Sequence, residues 1–217
     1  KLSKRLYVDM GWPPESVIAI PNGIDLERFN GTSVMERPDA KKLHVGCVAR
    51  LTNDKGVDVL LEAMEDMHDL PLTIVGEGKE SEYLTRWIEQ ISLKEDVSPP
   101  RIRLIPRVEN LGAFYRSLDL FVLPSRLHDP FGLVVAEAMS QGVPVIVSDV
   151  CGIAQELHAG VDGMIVRAGD VGTLKEALES LRDPAIRKTM GEEGRTTARN
   201  NFPAETMVKK YEELLKK

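Results

Sequence analysis

Leu118-Asp119-Leu120-Phe121-Val122-Leu123, then His128-Asp129-Pro130-Phe131-Gly132-Leu133-Val134-Val135-Ala136-Glu137-Ala138-Met139, then Pro144-Val145-Ile146-Val147-Ser148: over residues 118–148 the chain passes from an apolar run through a helix-start signal to a second apolar run. Both runs are too continuously apolar to have a solvent face, which is how buried parallel strands read. Between them, Asp129 is a good N-cap and Pro130 a good first helical residue, so the stretch predicts a helix over Pro130–Ser140. The opening N–H groups of such a helix, here those of Phe131, Gly132 and Leu133, have no partner within it. That end attracts an anion, typically a phosphate. Glu137, two turns along, is expected near the same mouth, where it can accept hydrogen bonds from hydroxyl groups.

The same alternation extends in both directions. Apolar or β-branched runs recur at Leu43–Ala49, Leu72–Val75, Ile102–Ile105 and Met164–Val166. Helical patterns separate them at Gly56–Met67, Glu80–Ile91, Leu111–Ser117, Val171–Leu181 and Ala185–Arg199. Val97-Ser98-Pro99-Pro100 reads as a simple connector. Right-handed crossovers turn this order into an α/β fold: a Rossmann-like, doubly wound parallel sheet of about six strands with helices on both faces. Ligands of such sheets bind beyond the carboxyl ends of the strands, so the loops after Ala49, Val75, Ile105, Leu123 and Ser148 are expected around one crevice.

The two ends behave differently. Leu2–Met10 looks like the end of a helix, Gly11-Trp12-Pro13-Pro14 like a turn, and Val17–Ile20 like a strand ahead of the Pro21-Asn22-Gly23 turn, with no evident partner in the main alternation. The tail, Pro203–Lys217, carries Met207, Val208, Tyr211, Leu214 and Leu215 at helical spacing and needs a groove to cover. The chain begins at Lys1 without an initiator methionine and is expected to be a piece of something longer.

At 217 residues and 42% hydrophobic content, the chain can bury one full core without disulfides or metals. A net charge of −6 with scattered lysines and arginines argues against nucleic acid or an anionic membrane as the partner of this domain. The two cysteines, Cys47 and Cys151, read as reduced thiols of a cytoplasmic protein. No apolar run is long enough to span a bilayer, and no signal-peptide core appears.

Several motifs, in order, resemble one family. Ile18-Ala19-Ile20-Pro21-Asn22-Gly23-Ile24-Asp25 with Phe29, Ala49-Arg50-Leu51 with Lys55-Gly56-Val57-Asp58, and Asp129 to Met139 with seven residues between its two acids come first. Gly142-Val143-Pro144-Val145-Ile146, Cys151-Gly152-Ile153, and Gly163-Met164-Ile165-Val166 with Gly169-Asp170 follow. Together they resemble the C-terminal, donor-binding domain of the group 1 retaining glycosyltransferases of family 4, which have the two-domain GT-B fold. The resemblance covers almost the whole chain. It implies that residues 1–24 are a remnant of an N-terminal domain and linker. Residues 25–200 would then form the nucleotide-sugar-binding domain, and 201–217 a helix packing towards the missing domain.

The resemblance also implies roles. Transfer breaks the bond between an anomeric carbon and a diphosphate, so fixed donors aimed at the diphosphate are the main catalytic requirement. Arg50 and Lys55 are identified as cationic clamps that substitute for a metal, and no metal or cofactor is expected. Glu137 would bind the ribose hydroxyls and Asp129 the transferred sugar. Gly76, in the Gly76-Glu77-Gly78 turn, would lie beside the nucleotide, and Arg107 and Val108 in the loop that reads the base. The donor would be a UDP-, GDP- or ADP-linked hexose. The acceptor would enter through the N-terminal domain, and the parent could lie at the inner membrane from the cytoplasmic side. Without that domain, the chain is expected to bind donor weakly and transfer nothing.

Three positions depart from the family pattern: Asp129 for the usual glutamate, about 1.5 Å shorter in reach, Pro106 for a glycine, and Gln155 for a glutamate. His128 reads as a solvated loop residue, and Met139 and Met164 as core filling. Two other readings share the fold. A GT-B nucleotide-sugar epimerase would change its sugar without an acceptor, and a non-catalytic binding module would respond to no nucleotide.

Overall fold

The structure is a computed structural model that describes residues 2–95 and 99–216; Val97 and Ser98 of the expected connector lie outside the described residues. Six parallel strands form one sheet in the order β3-β2-β1-β4-β5-β6. They are β1 (Val45–Val48), β2 (Leu72–Val75), β3 (Ile102–Ile105), β4 (Leu120–Leu123), β5 (Val145–Ser148) and β6 (Met164–Val166). This is the doubly wound order, whose direction of winding reverses between β1 and β4. The registers Val45↔Leu72 and Val45↔Leu120 bring β2, β1 and β4 level, so their carboxyl ends open on one side.

Eight helices flank the sheet among the described residues: α1 (Leu2–Asp9), α2 (Val57–Met64), α3 (Ser81–Glu95), α4 (Leu111–Arg116), α5 (Leu133–Ser140), α6 (Val171–Ser180), α7 (Pro184–Asn201) and α8 (Ala204–Leu215). The apolar strand residues divide between two cores. Cys47, Ile74, Leu120, Val122 and Ile146 pack under α2, α3 and α6. Val75, Phe121, Leu123, Val145 and Val147 pack under α4 and α5. Both faces are covered, and this is why the strands read as continuous apolar runs rather than alternating ones. Met139 is fully buried and Met164 packs against the first core, both as expected.

Among the departures from the sequence reading, two have a local reason. β4 starts at Leu120 rather than Leu118, because the Leu118 amide closes a turn onto Tyr115 O at 3.0 Å. Val17–Ile20 joins no ladder among the described residues, and Ile18 is exposed. The leading segment nevertheless has a partner in the tail. The Ile24 amide donates to Phe202 O at 2.8 Å and the Ala204 amide donates to Ile24 O at 2.9 Å. Ile24 and Phe202 are both buried, so this bridge fastens both ends to the second core. α8 itself buries no residue, and Leu215 is 85% exposed. No helix among the described residues is long and apolar enough to cross a membrane.

Candidate functional site

Lys55 ends a short 3-10 turn, Asn53–Lys55, in the loop between β1 and α2. That loop is bolted to the one after β4: the amides of Arg126 and Leu127 donate to Asp54 O at 2.8 and 3.2 Å, and Arg126 pairs with Asp58. The ammonium group is thereby brought to the second loop, where Lys55 Nζ stands 2.6 Å from Asp129 Oδ2. The two side chains are only 12% and 10% exposed, so the pair is largely desolvated. Ser125 Oγ backs the same carboxylate oxygen at 3.4 Å.

The helix expected from Pro130 starts later, at Leu133, and Asp129 is not its N-cap. Two long-range contacts account for the shift. Phe131 turns into the second core, edge-on to Phe202 with centroids 5.5 Å apart, and its carbonyl accepts from the Ile153 amide at 2.7 Å. Asp129 is likewise bridged to Cys151, with the Gly152 amide donating to Asp129 O at 2.8 Å. Residues 129–131 are therefore held outside the helix. The chain turns into the helix only at Gly132, whose φ of +92° belongs to the left-handed region that glycine tolerates. Of the three amides expected to face an anion, that of Phe131 points instead at Asp129 Oδ1, at 3.3 Å. Those of Gly132 and Leu133 stand at the true start of α5, where no preceding turn satisfies them.

This opening faces a cavity of about 330 Å³, lined by Arg50, Lys55, Asp129, Gly132, Leu133 and Val134 among others. Both expected cations thus reach the same cavity as the start of α5. They are unlike each other. Lys55 is engaged with Asp129, whereas Arg50 is 75% exposed and its guanidinium lies 4.0 Å from Asp54.

Val48, Ala49 and Arg50 also line a second cavity of about 800 Å³ beyond the carboxyl ends of β1, β2 and β3. Gly76, Pro106, Arg107 and Val108 lie on its wall, so the three cofactor-site positions expected there are brought together. At Gly76, φ is +155° and a Cβ would collide with the Ala49 carbonyl oxygen; glycine is required for the two loops to approach. The volumes of both cavities fall in the range of small-molecule sites, ~300–1,000 Å³.

Glu137 is set back. It is half-buried on α5, one turn beyond Val134, and is not among the residues lining either cavity. Its Oε2 accepts a hydrogen bond from the Tyr115 hydroxyl at 2.7 Å. Burial pushes the Glu137 carboxyl above its ordinary pKa, opposed by the Tyr115 hydrogen bond and the charge of Arg28. Burial and the neighbouring carboxylate raise the Tyr115 phenol further still.

Tyr115 and Arg28 are the residues that sequence reasoning missed. Arg28 lines the second cavity because the 3-10 turn Glu27–Phe29 buries Phe29 and leaves its neighbour pointing outward. The signal for it was present in the segment carrying Phe29. For Tyr115 there was none, since its partner lies in the next crossover.

His128 is exposed and lines neither cavity; its Nε2 lies 3.5 Å from Ser3 Oγ. Gln155 is exposed on the 3-10 turn Gly152–Glu156. Cys47 and Cys151 are free and buried, and desolvation pushes the Cys47 thiol up to about 12.

The description "Glycosyl transferases group 1" matches this chain over residues 34–197. Among curated relatives, the capsular polysaccharide biosynthesis glycosyltransferase CapM of Staphylococcus aureus is 29% identical over 203 residues, covering 89% of this chain and 52% of the relative. The phosphatidyl-myo-inositol mannosyltransferase of Mycobacterium leprae is 31% identical over 179 residues, covering 79% and 46%. The chain thus spans about half the length of the curated relatives it matches. Among solved structures, Anabaena HepE in complex with UDP superposes with a TM-score of 0.86 at 21% identity, over 99% of this chain and 61% of that one, which establishes the shared fold. Six parallel strands in the doubly wound order, motifs in sequence and a match over most of the length lead to one conclusion: the chain belongs to the group 1 glycosyl transferases.

Proposed function

We propose that this chain is the donor-binding half of a retaining, metal-independent hexosyltransferase that uses a nucleoside-diphosphate sugar. The carrying observation is the convergence of Arg50, Lys55 and the unsatisfied start of α5 on one cavity, where Asp129 is the only acid lining it among the described residues. A diphosphate placed there meets two cations and a helix N-terminus, the donors that stabilise charge growing on a leaving group. In the structure Asp129 neutralises Lys55; an arriving diphosphate takes over that role and frees Asp129 for the hydroxyls of the transferred sugar.

The second cavity, lined by Gly76, Arg107 and Val108, takes the nucleoside. Glu137, one turn beyond Val134 on α5 and within the influence of the Arg28 charge, takes the ribose hydroxyls. UDP in the Anabaena neighbour supports a nucleotide in this crevice. In the transfer, the bond from the anomeric carbon to the phosphate oxygen breaks as the acceptor oxygen attacks from the same face. The acceptor's proton goes to the departing phosphate oxygen. Arg50 and Lys55 hold the negative charge throughout. The acceptor approaches through an N-terminal domain, with residues 1–24 and 201–217 serving as the junction to it. The buried reduced thiols fit a cytoplasmic setting.

Calorimetric titration with UDP, GDP and ADP tests the reading. One nucleotide binding clearly better than the others, with no sugar transfer by the 217 residues alone, is expected. Absence of heat from all three at millimolar concentration refutes donor binding, and robust transfer by the isolated chain refutes the division of labour.

A further inference from the structure

Tyr115 is fully buried in α4, ringed by Phe121, Phe114 and Phe29 at centroid distances of 5.7, 6.0 and 6.1 Å. All of that packing is done by the ring, and phenylalanine would do it as well. The hydroxyl is a separate matter: a buried phenol needs a hydrogen-bond partner. It finds one across the contact between α4 and α5, in Oε2 of Glu137.

That partner is a costly choice, since burial opposes the charge of Glu137. A glutamate on a half-exposed helix position can also swing its carboxylate out to water. Here the tether prevents it and leaves Oε1 available as an acceptor. Arg28, on the wall of the second cavity, supplies the positive charge that favours the ionised form. Holding an acceptor in one rotamer before a ligand arrives removes an entropy loss from binding.

We propose that Tyr115 is a positioning residue: its hydroxyl fixes the Glu137 carboxylate in the orientation that receives the donor's ribose hydroxyls, and so sets the preference for ribose over deoxyribose without touching the ligand. This rests on the reading of Glu137 given above.

The test uses whichever of UDP, GDP and ADP binds most tightly, and its 2′,3′-dideoxy form. Both are titrated into the parent chain, Tyr115→Phe, Glu137→Gln and the double variant. The parent should prefer the ribonucleotide. Tyr115→Phe should lower that preference about five-fold, the scale of one ordinary intramolecular hydrogen bond, with affinity for the dideoxy form unchanged. The double variant should match Glu137→Gln.

If the parent shows no preference, the assignment of Glu137 fails and the inference falls with it. If the parent discriminates and Tyr115→Phe discriminates equally well, only the inference fails. It fails too if Tyr115→Phe weakens both nucleotides alike, which is what a purely structural role predicts, or if it lowers the preference further in the Glu137→Gln background.

Discussion

Asp129→Asn separates the two states proposed for the phosphate cavity. Asp129 Oδ2 is the counterion of Lys55 at 2.6 Å, and a diphosphate must displace it to reach the ammonium. The side-chain amide is isosteric, so the contact from the Phe131 amide to Oδ1 is retained and the loop geometry is kept. What is lost is a charge-assisted hydrogen bond, of net worth about 1.5–3 kcal/mol.

Only part of that worth is recovered on displacement, because Ser125 and the Phe131 amide continue to satisfy the released carboxylate. At about 1.4 kcal/mol per tenfold, plain nucleoside diphosphate should therefore bind Asp129→Asn some five- to ten-fold more tightly than it binds the parent. The variant should also be less stable by about 1–3 kcal/mol, because Lys55 is left largely desolvated without its partner. Binding is read by calorimetry and stability by urea denaturation. A nucleoside-diphosphate sugar should lose this gain, since the acid is then needed for sugar hydroxyls. If Asp129→Asn weakens plain nucleotide more than three-fold, the exchange of counterions is wrong and Asp129 contacts the nucleotide itself.

Two further outcomes follow from geometry and titration. Gly76→Ala should destabilise the chain by ~3 kcal/mol or more, because the added Cβ collides with a backbone oxygen that cannot move without breaking the loop between β1 and α2; a denaturation midpoint within error of the parent's would refute the collision. His44 is buried, with Nδ1 donating to Ser117 O at 3.0 Å and Nε2 accepting from Thr73 Oγ1 at 2.8 Å. Desolvation lowers its pKa, with Arg37 and Arg103 adding to the effect and Ser117 and Asp119 opposing it. The folded state therefore binds this proton less readily than the unfolded one. His44 contributes fully above the unfolded value of about 6.5, and its contribution is lost as pH falls from there towards the lowered folded value. Melting temperature should drop between pH 7 and 5 in the parent and drop less in His44→Gln; parallel curves would remove His44 as the cause.

Strand and helix order was legible because parallel strands buried on both faces must be apolar throughout. Three of the six strands, β2, β3 and β6, begin and end where their apolar runs do. The placement of Arg50, Lys55 and Asp129 around one mouth was legible as well, since doubly wound sheets put their ligand loops at the carboxyl ends of strands. What local sequence could not specify was the start of α5. Asp129-Pro130 carries a correct helix-start signal, yet Phe131 gains more by entering a core built partly of Phe202, and Gly132 takes over the turn.

The same reason hid the tether on Glu137. Its donor, Tyr115, lies on a different crossover, and nothing in the spacing of residues 115 and 137 says that α4 and α5 meet with the phenol aimed at the carboxylate. Periodicity records which residues are buried and in what order, because burial is decided locally by the face of each element. Direction within a loop, and the partner of a buried polar group, are decided by residues that become neighbours only when the layers pack.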